Sequence, residues 1–183
     1  MKIPQSNRKK ALFIVDAQPA SITKRNRYAI DNIVRLINEI NYDFYVEAIY
    51  HAEKGSLWEK QSNWTCPKDE KFHTVNEIKK ALATKELLHV EKETKSVFKG
   101  IPPLLKKLKQ KSIEEIQVVG FDTNDCIMAT VLESFDLGFF TYVIEECSEA
   151  STTQENHNHA IALLRHLHLT NNSCKEKINF RKI

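Results

Sequence analysis

Glycine is scarce, with 4 residues in 183, and proline hardly commoner at 5. A collagen-like or low-complexity chain is therefore excluded, as is a Pro/Gly-rich linker between domains. The glycines, Gly55, Gly100, Gly120 and Gly138, lie too far apart to form a Gly-x-Gly-x-x-Gly turn, so no dinucleotide-binding loop of that kind is present. The 4 cysteines, Cys66, Cys126, Cys147 and Cys174, include no Cys-x-x-Cys pair. That argues against a zinc cluster or a dithiol redox site and makes free thiols the simplest expectation.

Neither sign of charge dominates. With 27 basic and 24 acidic residues the net charge is only +3, too little for a nucleic-acid or anionic-membrane footprint. In the densest basic stretch, "LLKKLKQK" at 104–111, Leu104, Leu105 and Leu108 recur at helical spacing and leave the lysines on a solvated face. Long apolar runs are missing too. "ALFIV" ends at Asp16, short of a secretory core of roughly 7 to 15 residues, and no run reaches the ~20 residues of a membrane span. A cytoplasmic, globular protein is expected, and 42% hydrophobic with 28% charged residues over 183 positions suits a single domain spanning residues 1–183.

Periodicity alternates between strand and helix. "KALFIVD", "FYVEAIY", "ELLHVEK", "EIQVVG" and "FFTYVIEE" read as strands. "YAIDNIVRLINEIN", "VNEIKKALAT", "PPLLKKLKQK", "CIMATVLESFDLG" and "TQENHNHAIALLRHLHL" read as helices, and "EKINF" as a weak last strand. Tight hairpin signals are lacking, which predicts an α/β fold: a doubly wound, mainly parallel sheet with helices on both faces. Between the second strand and the next helix, residues 51–73 break the rhythm. They are expected to form a long loop, either a lid or an interface.

Ligands of open parallel sheets bind beyond the carboxyl ends of the strands. Three reactive side chains fall there: Asp16 after "ALFIV", Lys92 after "LLHVE" and Cys126 in the turn after "QVVG". Singly, each has an ordinary explanation: Asp16 as a cap, Lys92 as a surface lysine, Cys126 as a small packed hydrophobe. Together they make a nucleophile set, because an ammonium and a helix N-terminus stabilise a thiolate and a carboxylate can take the thiol proton.

With these residues in place, the chain resembles the isochorismatase-like cysteine hydrolases, which include nicotinamidases and N-carbamoylsarcosine amidases. The resemblance is carried by "ALFIVDAQ" with Asp16 and Gln18, by "VEKETKSVF" with Lys92, Ser96 and Phe98, and by "VVGFDTNDCIMATVLESFDLG" with Thr123 and Cys126. It implies a catalytic Asp16, Lys92 and Cys126, backbone oxyanion donors at Asp122 and Cys126, and a cis peptide bond between Phe121 and Asp122 that aims one of those donors. It also implies a small amide or ureide substrate cleaved through a thioester, and a homo-oligomer, a dimer or larger.

Departures from the family pattern narrow this. The Asp-x-His element of metal-binding nicotinamidases is missing: "EAIYHAEKGSLW" has His51 without an aspartate two residues before it, and distant His73 adds too little for a ligand set. In "HNHAIALLRHLH" the histidines His157, His159, His166 and His168 lack the four-residue spacing of a helical metal pair. No catalytic metal and no cofactor are expected. Gln18, Trp58, Trp64 and Phe98 are candidate pocket residues, with packing the competing role for the two tryptophans. Asp122 is unusual, because small or apolar residues are common at that position of the family; a carboxylate there raises the thiol pKa if it faces the site, and it either points away or contacts a polar substrate.

Overall fold

The computed structural model describes residues 8–69, 72–101 and 103–171. Five strands, β1 (Lys10–Val15), β2 (Phe44–Tyr50), β3 (Leu87–Lys92), β4 (Glu115–Phe121) and β5 (Phe140–Glu149), form one sheet in the order β3-β2-β1-β4-β5. Every neighbouring pair is parallel. Parallel neighbours need crossovers, and helices supply them. A 3-10 turn (Pro19–Ser21) and α1 (Tyr28–Glu39) follow β1, α2 (Leu57–Ser62) and α3 (Asn76–Leu82) follow β2, and α4 (Val97–Gly100) and α5 (Leu104–Gln110) follow β3. A π turn (Thr123–Ile127) running into α6 (Met128–Asp136) follows β4, and α7 (Gln154–His166) follows β5.

Central β1 shows why "ALFIV" is apolar without alternation. Ala11, Phe13 and Val15 pack on one face with residues of α4, α5, α6 and α7, while Leu12 and Ile14 pack on the other with α1 and α3. A strand covered on both faces has no polar side to keep. On α1 the helical spacing places Ile30, Ile33, Leu36 and Ile37 in that second cluster, each burial contributing about 1.5 to 3 kcal/mol. Cys147 is fully buried in the same cluster.

The chain leaves β1 towards β2 and β3, then returns to lay β4 against the other side of β1. That reversal opens a crevice at the carboxyl ends of β1 and β4. Gly120 lets the two strands close up there. It pairs with Val15 at φ +117°, and a Cβ would lie 2.0 Å from the Val15 carbonyl oxygen. Gly120→Ala is expected to cost about 2 to 5 kcal/mol, combining a disfavoured φ with an overlap onto backbone that cannot move aside. Urea unfolding measures it, and a loss under about 1 kcal/mol would mean that the strands separate easily.

Three elements differ from the sequence reading. The 51–73 segment contains α2, whose Ser56 hydroxyl accepts from Glu59 N–H at 3.2 Å while the Glu59 carboxylate accepts from Gly55 N–H at 2.5 Å. This Ser-x-x-Glu start is a local capping signal that outweighs the polar composition. The helix predicted from Cys126 begins earlier, as the π turn, and β5 runs three residues beyond "VIEE". The strand expected at "EKINF" lies outside the described residues. Among the described residues no helix is long and apolar enough to cross a membrane.

Candidate active site

The crevice receives side chains from three strand ends. Asp16 leaves β1 with φ 51°, in the left-handed region that aspartate enters more readily than most residues. Lys92 closes β3. Its side chain is fully buried, and its Nζ donates to Asp16 Oδ2 at 2.8 Å and to the Thr94 carbonyl at 3.2 Å. The same ammonium lies 4.7 Å from the centre of the Tyr50 ring. Gly100 makes room for the lysine, since a Cβ there would come within 2.5 Å of Lys92 Cβ.

Cys126 sits in the π turn after β4, 7% exposed, and shares a cavity of about 310 Å³ with Asp16. The turn is held from several sides. Its Asp122 carbonyl accepts from Asp125 N–H at 3.0 Å and Ile127 N–H at 3.1 Å, and the Cys126 carbonyl accepts from the Thr130 hydroxyl at 2.7 Å. Thr130 Oγ1 in turn accepts from Val97 N–H at 3.2 Å, and Thr123 Oγ1 lies 3.0 Å from His157 Nδ1. The peptide bond between Phe121 and Asp122 is cis.

Electrostatics couple the three side chains. Burial raises the Asp16 pKa against the opposing pull of Lys92, and burial pulls the Lys92 pKa down but is outweighed by its neighbours, the Asp16 carboxylate first, so that it is raised. Burial and then the Asp16 charge push the Cys126 thiol well above its ordinary range, with Lys92 opposing. The thiol is therefore protonated at rest, and making a nucleophile of it requires a base at the moment of attack. Asp16 Oδ1 is the atom placed for that: Oδ2 is tied to Lys92, Oδ1 is buried and makes no hydrogen bond of regular geometry to the described residues, and the carboxylate interacts with the Cys126 thiol.

Tyr50, Trp58 and Trp64 form an aromatic wall of the cavity, with Tyr50 stacked on Trp64 at 6.0 Å between centroids and Trp58 edge-on to both. Cys66 lines it as well, and mutual backbone hydrogen bonds of 2.9 Å between Ala52 and Cys66 close the base of the 51–73 segment. Asp122, Asp125, Ser151 and Thr152 line the side towards β5.

A family model described as the isochorismatase domain matches residues 10–172. The chain belongs to the isochorismatase family. An isochorismatase-like hydrolase from Alkaliphilus metalliredigens superposes with a TM-score of 0.75 at 15% identity, over 88% of this chain and 92% of that one. An isochorismatase family protein from Desulfovibrio vulgaris gives 0.74 at 18% identity, over 90% and 93%. The pyrazinamidase/nicotinamidase of Streptococcus mutans gives 0.73 at 18% identity, over 86% and 96%. No curated protein sequence matches well enough to count as a relative.

Within this isochorismatase fold the four candidate pocket residues separate. Trp58 and Trp64 line the cavity, but Phe98 does not: it packs in the core, 5.7 Å from the Phe13 ring and 6.3 Å from Phe139. An aromatic residue on the inner side of α4 gains more from the sheet than from the crevice. Gln18 lines the cavity with its amide already committed, donating to the Tyr50 carbonyl at 3.0 Å and accepting from Tyr50 N–H at 2.7 Å. Its role is to fasten the end of β1 to the end of β2. Asp122 accepts from both the N–H and the hydroxyl of Ser151, the latter at 2.7 Å, and so ties the β4 turn to the segment after β5. Burial raises its pKa, with the Ser151 donors opposing.

Sequence reasoning missed Tyr50, Thr130, Ser151 and His157. The contacts of Tyr50, Ser151 and His157 with site residues join positions about 30 apart, which no local pattern encodes, whereas Thr130 reaches the Cys126 carbonyl from four residues on, within the same helix. The tyrosine hydroxyl is buried and makes no hydrogen bond of regular geometry to the described residues; burial raises its pKa, with the nearby Trp58 side chain opposing. Beyond Ser151, Glu149 is fully buried, accepting from Arg25 Nη1 at 2.6 Å and from the Tyr28 hydroxyl at 2.7 Å, and it steadies that wall. His51 and His73 do not join a ligand cluster: among the described residues no three His, Cys, Asp or Glu side chains are grouped to hold a metal ion.

Proposed function

We propose that this protein is a cysteine hydrolase that cleaves a C–N bond of a small amide or ureide through a thioester. The supporting observation is that Asp16, ion-paired behind the wall to the buried Lys92, lines one cavity with Cys126, and that its Oδ1 makes no hydrogen bond of regular geometry to the described residues. In the first half-reaction the Cys126 sulfur bonds to the substrate carbonyl carbon as its proton passes to Asp16 Oδ1. Lys92 keeps the carboxylate oriented and balances the negative charge of the site. The tetrahedral intermediate collapses with cleavage of the C–N bond, and the proton on Asp16 goes to the departing nitrogen. Water then gives a proton to Asp16 and attacks the thioester carbonyl. Release of the acid returns that proton to the Cys126 thiol.

Both tetrahedral intermediates carry an oxyanion, for which the Asp122 and Cys126 N–H groups are the proposed donors. Cys126 N–H lies in the first turn of its helix, where backbone donors precede the regular ladder.

The test is a panel of small linear amides, ureides and nicotinamide, the last included because structural neighbours carry the nicotinamidase name. Ammonia release is measured, and acyl adducts on Cys126 are sought by peptide mass spectrometry after rapid acid quench. Release from at least one compound, with an adduct of the acyl mass on Cys126, is expected. A panel with no release and no adduct would count against the reading.

A further inference from the structure

The cavity wall carries three carboxylates, Asp16, Asp122 and Asp125, and neither lysine nor arginine. Two of the three have a cationic partner. Asp16 is paired with Lys92 at 2.8 Å, and Asp125 with Lys95, whose Nζ also lies 4.1 Å from the centre of the Trp58 ring. Asp122 instead takes its hydrogen bonds from the neutral Ser151, leaving one carboxylate of the wall without a cationic partner among the described residues.

Two further atoms show that the cavity is prepared for a ligand. The Tyr50 hydroxyl and Asp16 Oδ1 both belong to lining side chains more than nine-tenths buried, and among the described residues neither makes a hydrogen bond of regular geometry, their side-chain neighbours being Trp58 and Cys126. Such atoms are costly to leave unsatisfied. Oδ1 accepts only, and the phenol can donate to a carbonyl or accept from an N–H. The remaining wall is aromatic, and its electron-rich rings already meet cations, Tyr50 the ammonium of Lys92 and Trp58 that of Lys95, with Trp64 the third ring.

Building on the hydrolase reading, we propose that this site selects small amides whose non-reacting end bears an ammonium-type cation, seated by Asp122 against the aromatic wall, and that it disfavours carboxylate-bearing amides. A volume of about 310 Å³ limits such a substrate to the small end of ligand size. Coulomb attraction across a partly dehydrated cavity favours the cation at Asp122 and opposes an anion there.

The selection is measurable without knowing the substrate. Methanethiosulfonate reagents turn a thiol into a mixed disulfide, adding a cationic trimethylammonium-ethylthio, a neutral methylthio or an anionic sulfonatoethylthio group as the reagent's S–S bond breaks and methanesulfinate leaves. Rates at Cys126 are followed by peptide mass spectrometry, which separates it from Cys66 on the same cavity, and each is divided by the rate for a small free thiol. The normalised cation-to-anion ratio is expected to be about tenfold or more in the wild type. It should approach one in Asp122→Asn, whose side chain still accepts from Ser151, and persist in Ser151→Ala, which keeps the carboxylate. Because each ratio is taken within one variant, a general change in thiol reactivity cancels.

A wild-type ratio near one, or one favouring the anion, would overturn the proposal while leaving the hydrolase reading standing. So would a ratio that survives Asp122→Asn. Should that variant fail to fold by circular dichroism, the wild-type ratio together with its retention in Ser151→Ala decides. Absence of modification at Cys126 by any of the reagents would overturn both the selectivity and the reading beneath it.

Discussion

Cys126→Ala is expected to lower ammonia release from any amide the wild-type protein hydrolyses by more than about a thousandfold. The proposed reaction puts the acyl group on this sulfur, and nothing else on the cavity is placed to take its role beside Asp16. Cys66 also lines the wall, but its partners are the Tyr50 carbonyl, 3.9 Å from its sulfur, and the backbone of Ala52. The competing explanation is that Cys126 only packs, since it belongs to the buried cluster on the α4 to α7 face. The two part cleanly. A packing role makes the alanine variant less stable by about 1 to 2 kcal/mol while activity survives in the folded fraction. A nucleophile's role leaves a folded protein that is inactive. Urea unfolding and the ammonia assay on the same preparation distinguish them, and retention of a tenth of the activity would rule out the thioester route.

Lys92→Met is expected to destabilise the protein by about 3 to 5 kcal/mol at neutral pH, the cost of leaving a buried carboxylate without its cation. The lysine side chain is fully buried, and that of Asp16 is 6% exposed. Water can therefore not replace the ammonium. The penalty should shrink as pH falls. Burial already raises the Asp16 pKa above 3.8, and removing Lys92 removes the main opposing influence, so the folded variant holds a proton that the unfolded chain has released. With more protons bound in the folded state, stability falls as pH rises from about 4 through that raised pKa, and is recovered below it. Urea denaturation across mildly acidic to neutral pH measures this slope. Asp16→Asn/Lys92→Met should be more stable than Lys92→Met alone at neutral pH, because both charges are gone. Equal stability of the two at every pH would show that the pair is not electrostatically coupled.

Much of the fold is legible in linear order because burial on both faces writes continuous apolar runs, as in "ALFIV", and burial on one side writes the spacing of Ile30, Ile33 and Ile37. The short helices are less legible. In α2 the signal is the Ser56 to Glu59 capping pair, which a reading for apolar periodicity passes over, and α4 has only four residues to display a period. Phe98 illustrates a different limit. Its place in a family motif identifies its neighbourhood but not the direction its ring takes, and its ring neighbours, the tilted Phe13 and the stacked Phe139, come from distant strands and turns.

By itself, the sequence determined the succession of strands and helices and set Asp16, Lys92 and Cys126 near the carboxyl ends of three strands, because hydrophobic period and strand length are local properties. Only the tertiary structure decided that these ends meet, since the strand order β3-β2-β1-β4-β5 follows from which faces pack together. It also decided that the Asp122 carboxylate turns to Ser151, 29 residues on, and stands on the cavity wall with no cationic partner among the described residues. Charge balance at a point in space depends on every chain segment that reaches it, and so it is not written in any one of them.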